Sequence, residues 1–364
     1  MLPTTPCLLI DEAVMARNLQ RMQARCAAAG CGLRPHVKTH KCPELALRQL
    51  EAGAIGITVA KLREAEIMAE AGIKDIFMAY PLVGADKIER AVALARRIRL
   101  ILTADAFGPA KALSQAAQAA GVTLELRLEL DTGMGRSGAP LPEALPLAQS
   151  IAALPGLRLT GLSTYRNLIY QGRPDPDREK CGLEEGRILV ELAEKMRAAG
   201  LPIREVSVGS TATAESCAKV PGVTEVRPGT YIFYDPMQAH KGACGPDDMA
   251  AFVETTVVSV QGGRVVVDAG NKAISTDCPP GKAPFYFPGF GRVLGHPGLT
   301  LHTMTEEHGM LANAGPDDGI AVGDRLRIYP NHICTTVNLY DQAYLLQDGK
   351  VKQALRIAAR GASY

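Results

Sequence analysis

The stretch AIGITVAKLREAEIMAEAG, residues 54–72, contains two periodicities in succession. Its first seven residues form a run of mainly apolar and β-branched residues, which is typical of a strand buried on both faces. The remainder places apolar residues on or near one helical face, at Leu62, Ala65, Ile67, Met68 and Ala69. Gly72 then stands where a helix C-cap is expected. A strand that leads directly into an amphipathic helix indicates an α/β fold.

The same format recurs through the first two thirds of the chain. Eight segments are predicted strands: 33–38, 54–60, 75–79, 98–103, 124–130, 157–164, 204–209 and 223–227. Helical segments separate them, such as GADKIERAVALARR (84–97) and LEEGRILVELAEKMRAAG (183–200). Eight strands with intervening helices predict an α/β domain of the (β/α)8 TIM-type barrel class over residues 1–240. In such a barrel the chemistry lies at the carboxyl ends of the strands.

The pattern changes after residue 240. The stretch FVETTVVSVQGGRVVVDAGNKAIS (252–275) contains two β-branched runs joined by QGG, which indicates a hairpin. GDRLRIYP (323–330) and QAYLLQDGKV (342–351) continue in the same style, without a strong helical pattern. We therefore predict a second, mostly antiparallel β domain over residues 241–364.

The composition limits the classes of partner. The chain has 364 residues with 40 basic and 38 acidic side chains, a net charge of +2, and no run of five like charges. These values argue against nucleic acid and membrane as partners and favour small molecules. The first residues lack the features of a secretory signal and no long apolar segment occurs, so we expect a cytoplasmic protein. Nine cysteines without a CxxC pair predict reduced thiols.

The segment RPHVKTHKC, residues 34–42, combines two histidines with two lysines. A solvated basic loop is one interpretation. If the first barrel strand continues through the segment, His36, Lys38 and His40 point to one side, and Lys38 lies at the carboxyl end of the strand. Neighbouring cations activate a lysine for Schiff-base formation. The pattern therefore predicts Lys38 as a reactive amine.

Three further stretches extend this pattern: TPCLLID (5–11) precedes it, and GITVAKLREAE (56–66) and DIFMAYPLVG (75–84) follow. Together with RPHVKTHK they resemble the fold-type III pyridoxal-phosphate family of D-threonine aldolases and D-serine dehydratases, relatives of alanine racemase. The resemblance extends over nearly the whole chain. It implies that Lys38 carries the Schiff base of pyridoxal 5′-phosphate and that Lys41 has no required role.

Two turns rich in Gly, Ser and Thr follow late barrel strands, and such turns present the backbone N–H groups that bind phosphate. The candidates are Ser210 and Thr211 in GSTAT (209–213), and Gly229, Thr230 and Tyr231 in RPGTYIFYD (227–235). Read by itself, each turn has an equally good structural interpretation. The resemblance implies that both bind the phosphate of the cofactor.

Two more residues follow from the resemblance. Arg136 in LDTGMGRSG (130–138) corresponds to an arginine near the phenolic oxygen of the cofactor, and a flexible surface turn is the alternative. Tyr165 in GLSTYRNLIY (161–170) corresponds to a tyrosine that faces the pyridine nitrogen in the dehydratases. A neutral hydroxyl partner leaves that nitrogen largely unprotonated.

The stretch PNHICTTVNLYD, residues 330–341, contains His332 and Cys334 two positions apart on a predicted strand end. An imidazole and a thiolate that face one way suit Zn²⁺, although an isolated pair of this kind usually has a packing role. The resemblance implies a metal site, because dehydratases of the family bind zinc through HxC and aldolases use HxD with a harder metal such as manganese. We expect Zn²⁺, with Mn²⁺ or Mg²⁺ as alternatives. Asp268, Glu307 and His308 are further candidates for neighbours of the site.

These features predict a lyase dependent on pyridoxal phosphate and metal that acts on D-3-hydroxy amino acids. The favoured reaction is the dehydration of D-serine or a related D-amino acid to a 2-keto acid and ammonia, since Cys334 and AYPLVG (79–84) are dehydratase-like. VNLYD (337–341) is aldolase-like, so D-threonine aldolase is the alternative. An amino acid racemase and a non-catalytic cofactor-binding protein are less favoured. The resemblance also implies a homodimer.

Overall fold

The computed structural model describes residues 3–312 and 319–364. The chain divides into two compact units. The unit that we call the β unit comprises residues 1–20, 39–44 and 230–361, and the unit that we call the barrel unit comprises residues 21–38, 45–229 and 362–364.

The strands among the described residues are β1 (Cys7–Asp11), β2 (Gly32–Leu33), β3 (Ile57–Val59), β4 (Asp75–Pro81), β5 (Arg99–Ala104), β6 (Leu124–Asp131), β7 (Ala139–Pro140), β8 (Leu157–Ser163), β9 (Ile169–Tyr170), β10 (Arg173–Pro174), β11 (Glu205–Val208), β12 (Glu225–Val226), β13 (Ala251–Gln261), β14 (Arg264–Val267), β15 (Gly291–Val293), β16 (Thr300–Met304), β17 (Gly309–Ala312), β18 (Arg325–Pro330), β19 (Gln342–Gln347) and β20 (Lys350–Arg356).

The α-helices are α1 (Glu12–Ala28), α2 (Pro43–Glu51), α3 (Leu62–Glu70), α4 (Ala85–Ala95), α5 (Phe107–Ala120), α6 (Ala144–Ala152), α7 (Arg178–Ala198), α8 (Ala214–Ala218), α9 (Pro236–His240) and α10 (Ile333–Val337). Short 3₁₀ turns cover Val37–Thr39, Leu141–Glu143, Thr230–Ile232 and Pro246–Asp248. None of the helices in the described ranges has the length and apolar character needed to cross a bilayer.

The barrel unit contains the eight predicted strands in one parallel sheet, in the order β2-β12-β11-β8-β6-β5-β4-β3. A parallel bridge between His36 and Thr58 joins the two ends of this order. The backbone N–H of Thr58 also donates to Pro35 O at 2.8 Å. The predicted (β/α)8 class is therefore confirmed.

Helix α3 shows why the opening stretch folds as predicted. The Glu64 carboxylate accepts from the backbone N–H groups of Ala60 at 2.7 Å and Lys61 at 3.1 Å, which would otherwise lack partners at the helix start. Leu62 and Met68 of the predicted apolar face are buried. Gly72 ends the element with φ +98°, a conformation that favours glycine.

The interior of the barrel unit contains a buried charge cluster. Glu225, 1% exposed, accepts from Arg34 Nε at 2.8 Å, Arg127 Nη2 at 3.0 Å and Ser207 Oγ at 2.6 Å. Burial alone would raise the pKa of Glu225, but the two guanidinium groups bring it well below its ordinary value. The Arg127 guanidinium also lies 4.4 Å from the centroid of the Phe77 ring. Directional interactions therefore connect β2, β4, β6, β11 and β12.

The β unit is built on a nine-stranded sheet in the order β14-β17-β16-β15-β18-β13-β1-β19-β20. The pairs are antiparallel except for β1 with β19. The predicted QGG hairpin is present, with Gln261 opposite Arg264 and positive φ at Gly262 and Gly263. A second hairpin joins β19 to β20. The prediction of a mostly antiparallel β region is therefore confirmed.

The strand β1 belongs to the sheet of the β unit. Leu8 pairs with Val253 of β13 on one side and with Ala343 of β19 on the other. The sequence assigned residues 1–240 to one domain, because pairing between distant segments leaves no local pattern. The predicted division into a domain of residues 1–240 and a domain of residues 241–364 stays a prediction. The first 20 residues belong to the β unit.

Apolar packing supports the β unit near β1. Cys7, Leu9, Phe252 and Leu346 form a buried cluster against which Tyr329, Tyr344 and Val351 pack. All nine cysteines of the chain lie among the described residues, none is joined to another there, and seven of them are buried. That they are reduced in the cell stays a prediction.

Candidate functional site

Lys38 lies in the barrel unit, in the 3₁₀ turn that follows β2. The prediction that His36, Lys38 and His40 alternate along a strand is wrong, because the backbone turns at Val37 and is no longer extended. The exposed side chain of Lys38 instead directs its amine toward Tyr165, with Nζ 5.9 Å from the ring centroid. His36 Nδ1 accepts from the backbone N–H of Lys38 at 3.4 Å, which helps to hold the turn.

Tyr165 connects Lys38 with a second predicted residue. It follows β8 and is half-buried, while Arg136 is exposed in the loop after β6. The Arg136 guanidinium carbon lies 4.9 Å from the centroid of the Tyr165 ring, on the scale of a cation–π contact. The structure thus brings Lys38, Arg136 and Tyr165 together from three different strand ends.

The two predicted phosphate turns are partly joined. Thr211 accepts through Oγ1 from the backbone N–H of Gly229 at 3.2 Å, so the turns after β11 and β12 are in contact. Ser210 is hydrogen-bonded through its own N–H to Thr213 Oγ1 at 3.0 Å. Gly209 has φ +86°, and a Cβ there would lie 3.3 Å from the backbone of Ala214. The turn therefore requires glycine and forms a narrow, hydroxyl-rich cradle.

Thr230 and Tyr231 belong to the β unit. They begin a 3₁₀ turn, and both side chains are buried. Thr230 Oγ1 lies 3.4 Å from the Cys334 sulfur, so this residue contacts the predicted metal pair.

His332 and Cys334 lie in a turn rather than on a strand end. Strand β18 ends at Pro330, His332 is the N-cap of α10, and Cys334 lies in the first turn of that helix. The strand geometry predicted for the pair is therefore wrong. The two side chains nevertheless lie close enough to shift each other's pKa.

The electrostatics of the pair favour the thiolate. Burial alone would raise the pKa of the Cys334 thiol, but the charge and the hydrogen bond of His332 bring it below its ordinary value. The Thr39 hydroxyl, 3.3 Å from the sulfur, and the Thr230 hydroxyl can donate to a thiolate. Thr39 directly follows Lys38 in the sequence. A thiolate beside an imidazole is a donor set that fits Zn²⁺.

Asp277 is a part of the site that the sequence did not predict. Its Oδ2 lies 2.5 Å from His332 Nδ1, and its Oδ1 accepts from Ser275 Oγ at 2.9 Å and Thr335 Oγ1 at 3.0 Å. Burial alone would raise the pKa of Asp277, but His332 and the two hydroxyls bring it below its ordinary value. An ionised Asp277 requires the proton on Nδ1, which leaves Nε2 of His332 for a metal.

Cys278 extends this group. Potential ligand atoms of Asp277, Cys278 and His332 all lie within 4.8 Å of one another. The Cys278 thiol is buried, and its desolvation raises its pKa to about 11. Both residues come from an irregular segment between β14 and β15, where no spacing motif marks them. The sequence STDC contained the residue types but not their proximity to His332.

The three weaker candidates have other contacts. Asp268 accepts from Thr5 Oγ1 and Thr255 Oγ1, each at 2.6 Å, and so links the N-terminal segment to β13. Glu307 is exposed and forms an ion pair with Lys272 at 2.6 Å. His308 is also exposed. Asp268 thus connects two segments of the β unit, and Glu307 takes part in an ion pair at the surface.

Comparisons with known proteins were made for the whole chain. Residues 10–236 match the family described as alanine racemase, N-terminal domain, and residues 250–346 match a putative serine dehydratase domain. A D-threonine aldolase from Arthrobacter sp. is 34% identical over 363 residues, 99% of this chain and 93% of that protein. The D-threo-3-hydroxyaspartate dehydratase of Delftia sp. strain HT23 is 38% identical over 352 residues, 91% of each chain.

The solved structure of the Delftia dehydratase superimposes with a TM-score of 0.88 over 97% of both chains, at 38% identity. Two other solved structures are alanine variants of D-threo-3-hydroxyaspartate dehydratase. One replaces a histidine and the other a cysteine two positions later, and the cysteine variant is described as metal-free. Aldolases and dehydratases are both lyases.

Proposed function

Because the chain belongs to the alanine racemase N-terminal domain family, in the branch that also carries a serine dehydratase domain, we propose that it is a lyase dependent on pyridoxal phosphate and metal. Its substrates are D-3-hydroxy amino acids, and its favoured reaction is dehydration to a 2-keto acid and ammonia. The observation that carries this choice is the His332 and Cys334 pair, in which the Asp277 carboxylate contacts the His332 ring.

The residues of the barrel unit fit the cofactor. Lys38 supplies an exposed amine beside Tyr165 and Arg136, and Ser210, Thr211 and Gly229 form the hydroxyl-rich cradle suited to a phosphate. We assign Lys38 as the residue that holds pyridoxal phosphate, and we place Thr230 and Tyr231 in the same binding set on the strength of the family resemblance. When bound, the cofactor supplies an electron sink for negative charge at the substrate Cα.

Lys38 has a second role in this proposal. Its amine, once released from the cofactor, removes the proton from the substrate Cα. Arg136 lies near the same ring of Tyr165 and, as a cation, supports negative charge on the cofactor's phenolic oxygen. Tyr165 offers a neutral hydroxyl to the pyridine nitrogen.

His332 and Cys334 are the proposed metal ligands. The solved histidine and cysteine variants of the dehydratase have the same spacing, and the cysteine variant is metal-free, which supports the assignment. Zn²⁺ is the favoured ion because its preferred donors are imidazole and thiolate, and Mn²⁺ or Mg²⁺ are the alternatives. When bound, the ion supplies a Lewis acid at the β-hydroxyl oxygen of the substrate.

D-threonine aldolase activity is the second candidate. It is supported by the Arthrobacter relative, whose similarity extends over 99% of this chain. Dehydration requires removal of the Cα proton, whereas retro-aldol cleavage requires removal of the hydroxyl proton and breaks the Cα–Cβ bond. The softer donor Cys334 favours the dehydratase.

A product assay tests both candidates. Protein loaded with pyridoxal phosphate and zinc is offered D-serine, D-threonine and D-threo-3-hydroxyaspartate, with the L-isomers as controls, before and after chelation. We expect a 2-keto acid and ammonia from the D-isomers and loss of that activity on chelation. Glycine and an aldehyde would establish the aldolase instead. The absence of both product sets would reject the lyase and favour a racemase or a non-catalytic cofactor-binding protein.

We also propose a homodimer, on the family resemblance alone. Light scattering after size-exclusion chromatography measures this directly, and the calculated chain mass is 38.7 kDa. A particle of twice that mass supports the dimer, and a particle of the chain mass contradicts it.

A further inference from the structure

Lys241 is a lysine of the β unit to which the proposed mechanism gives no role. It follows α9, a helix attached to the turn that carries His332. The Asp235 carboxylate accepts from the backbone N–H of Gln238 at 2.8 Å and of Ile333 at 3.1 Å. The N–H of Met237 donates to Asn331 O at 3.1 Å. Lys241 therefore stands on a helix whose position is fixed by the backbone beside the metal pair.

Lys241 is half-buried. Within residues 3–312 and 319–364, the structure gives its ammonium group no hydrogen bond and no carboxylate within ion-pair distance. Its nearest ring contact is Phe285, with Nζ 5.5 Å from the centroid. Phe285 stacks on Phe287 at 5.3 Å, and His240 meets both rings edge-on. A half-buried cation against an aromatic wall, with no carboxylate in hydrogen-bonding reach among the described residues, can receive an anionic group.

The charges of groups around His332 and Cys334 act on this ammonium. Burial lowers the pKa of Lys241, and the charges of Asp235, Cys278 and Cys334 oppose that shift. Asp235 is 1% exposed, and each of its oxygens already accepts a backbone N–H. Asp235 therefore acts on Lys241 through its charge and not through a hydrogen bond.

We propose that Lys241 binds a second carboxylate of the substrate, attached at Cβ. This inference rests on the proposed function, in which a metal on His332 and Cys334 binds the β-hydroxyl of the substrate. The second substituent on the same carbon, Cβ, then lies near the side chains around that metal. A cationic group there selects a carboxylate over the hydrogen of D-serine or the methyl group of D-threonine. The preferred substrates are then 3-hydroxy-D-aspartate and its close analogues.

The first test measures binding rather than turnover. D-aspartate carries the second carboxylate but lacks the hydroxyl that leaves, and D-alanine lacks both. Calorimetry with the cofactor- and zinc-loaded protein compares the two ligands for wild type, Lys241→Met and Lys241→Arg. Loss of one charge-assisted contact corresponds to about a ten- to hundredfold weaker affinity. We expect that loss for D-aspartate in Lys241→Met, a much smaller one for D-alanine, and recovery of most of the affinity in Lys241→Arg.

Lys282→Met is the matched control, because Lys282 is an exposed lysine of the segment that carries Phe285. Equal weakening for D-aspartate and D-alanine in Lys241→Met, or no weakening at all, would overturn the proposal. If Lys241→Met does not fold, Lys241→Gln replaces it.

The second test uses the ratio of kcat/KM for D-threo-3-hydroxyaspartate to that for D-serine. We expect this ratio to fall at least tenfold in Lys241→Met. An unchanged ratio in a variant with reduced kcat for both substrates would show a merely structural role. The two experiments separate the two hypotheses. Lys241-dependent binding of D-aspartate without any turnover would reject the lyase and retain the carboxylate site. Turnover with an unchanged ratio would retain the lyase and reject the carboxylate site.

Discussion

The barrel unit and the β unit position their candidate residues in different ways. In the barrel unit each candidate follows a different strand: Lys38 follows β2, Arg136 β6, Tyr165 β8 and Ser210 β11. In the β unit the metal pair comes from the single turn that follows β18, and Asp277 reaches it from an irregular segment.

The interiors of the two units also differ, in the burial of their ion pairs. Buried ion pairs around Glu225 connect the strands of the barrel unit, and Arg127 in that cluster is 0% exposed. In the β unit Glu254 is also buried, but its partners Arg325 and Arg327 each remain 35% exposed, and an apolar cluster packs nearby. The comparison teaches that buried charges connect the strands inside the barrel unit, whereas a short turn brings together the main candidates of the β unit.

The largest expected effect is at Lys38. Lys38→Ala removes the amine to which we assign the cofactor, so we expect complete loss of the visible absorbance of the lysine-bound cofactor and a loss of turnover of about a thousandfold or more. Absorption spectroscopy of the purified, cofactor-treated protein is the measurement. Lys41→Arg, three positions further on, is the control and keeps the absorbance. If the Lys38→Ala protein keeps this absorbance, Lys38 does not hold the cofactor, and the assignment of the candidates in the barrel unit is wrong.

The second effect separates the two interiors. Glu225→Gln removes the carboxylate that pairs with the buried Arg127 and one of the two carboxylates that pair with Arg34, the other being Asp75. Such a change costs about 3–5 kcal/mol of unfolding free energy. Glu254→Gln is the matched change in the β unit, and we expect a cost of about 1 kcal/mol because its arginines remain partly solvated. Urea unfolding followed by circular dichroism measures both variants. Equal losses would show that the buried cluster has no special role in the barrel unit.

The smallest effect concerns the support of the metal pair. Asp277→Asn removes the charge that fixes the His332 ring, and changes of this type weaken metal binding by about ten- to hundredfold. Competition for Zn²⁺ with a chromophoric chelator measures the affinity without reference to activity. Asp341→Asn is the control, since Asp341 is exposed and forms an ion pair with Arg360 at the surface. Unchanged zinc affinity in Asp277→Asn would contradict the role assigned to that carboxylate.

Much of the barrel unit could be predicted from local sequence. A buried parallel strand followed by an amphipathic helix is a pattern of about 20 residues, and the carboxyl ends of such strands meet at one face. Lys38 was identified at one of those ends, and the family resemblance added Arg136 and Tyr165. The structure brings the three together around the ring of Tyr165.

The β unit was harder to predict, because its important contacts connect distant and irregular segments. Asp277 and Lys241 have no periodic pattern around them, and only the tertiary structure places them near His332 and Phe285 respectively. The strand predicted for His332 and Cys334 was wrong because the chain turns into α10 after Asn331. The residue types indicated the chemistry although the backbone conformation was different.

The position of β1 has a consequence for biosynthesis. This apolar strand is made before the barrel sequence, yet its two neighbours, β13 and β19, are made only after it. Until then both of its edges lack partners, and unpaired apolar strands are prone to aggregate. The two edges of β1 can therefore be paired only after β19 has been made, whereas the strands of the barrel can pair earlier. Nascent chains stalled before residue 342 are the species that a chaperone would have to protect.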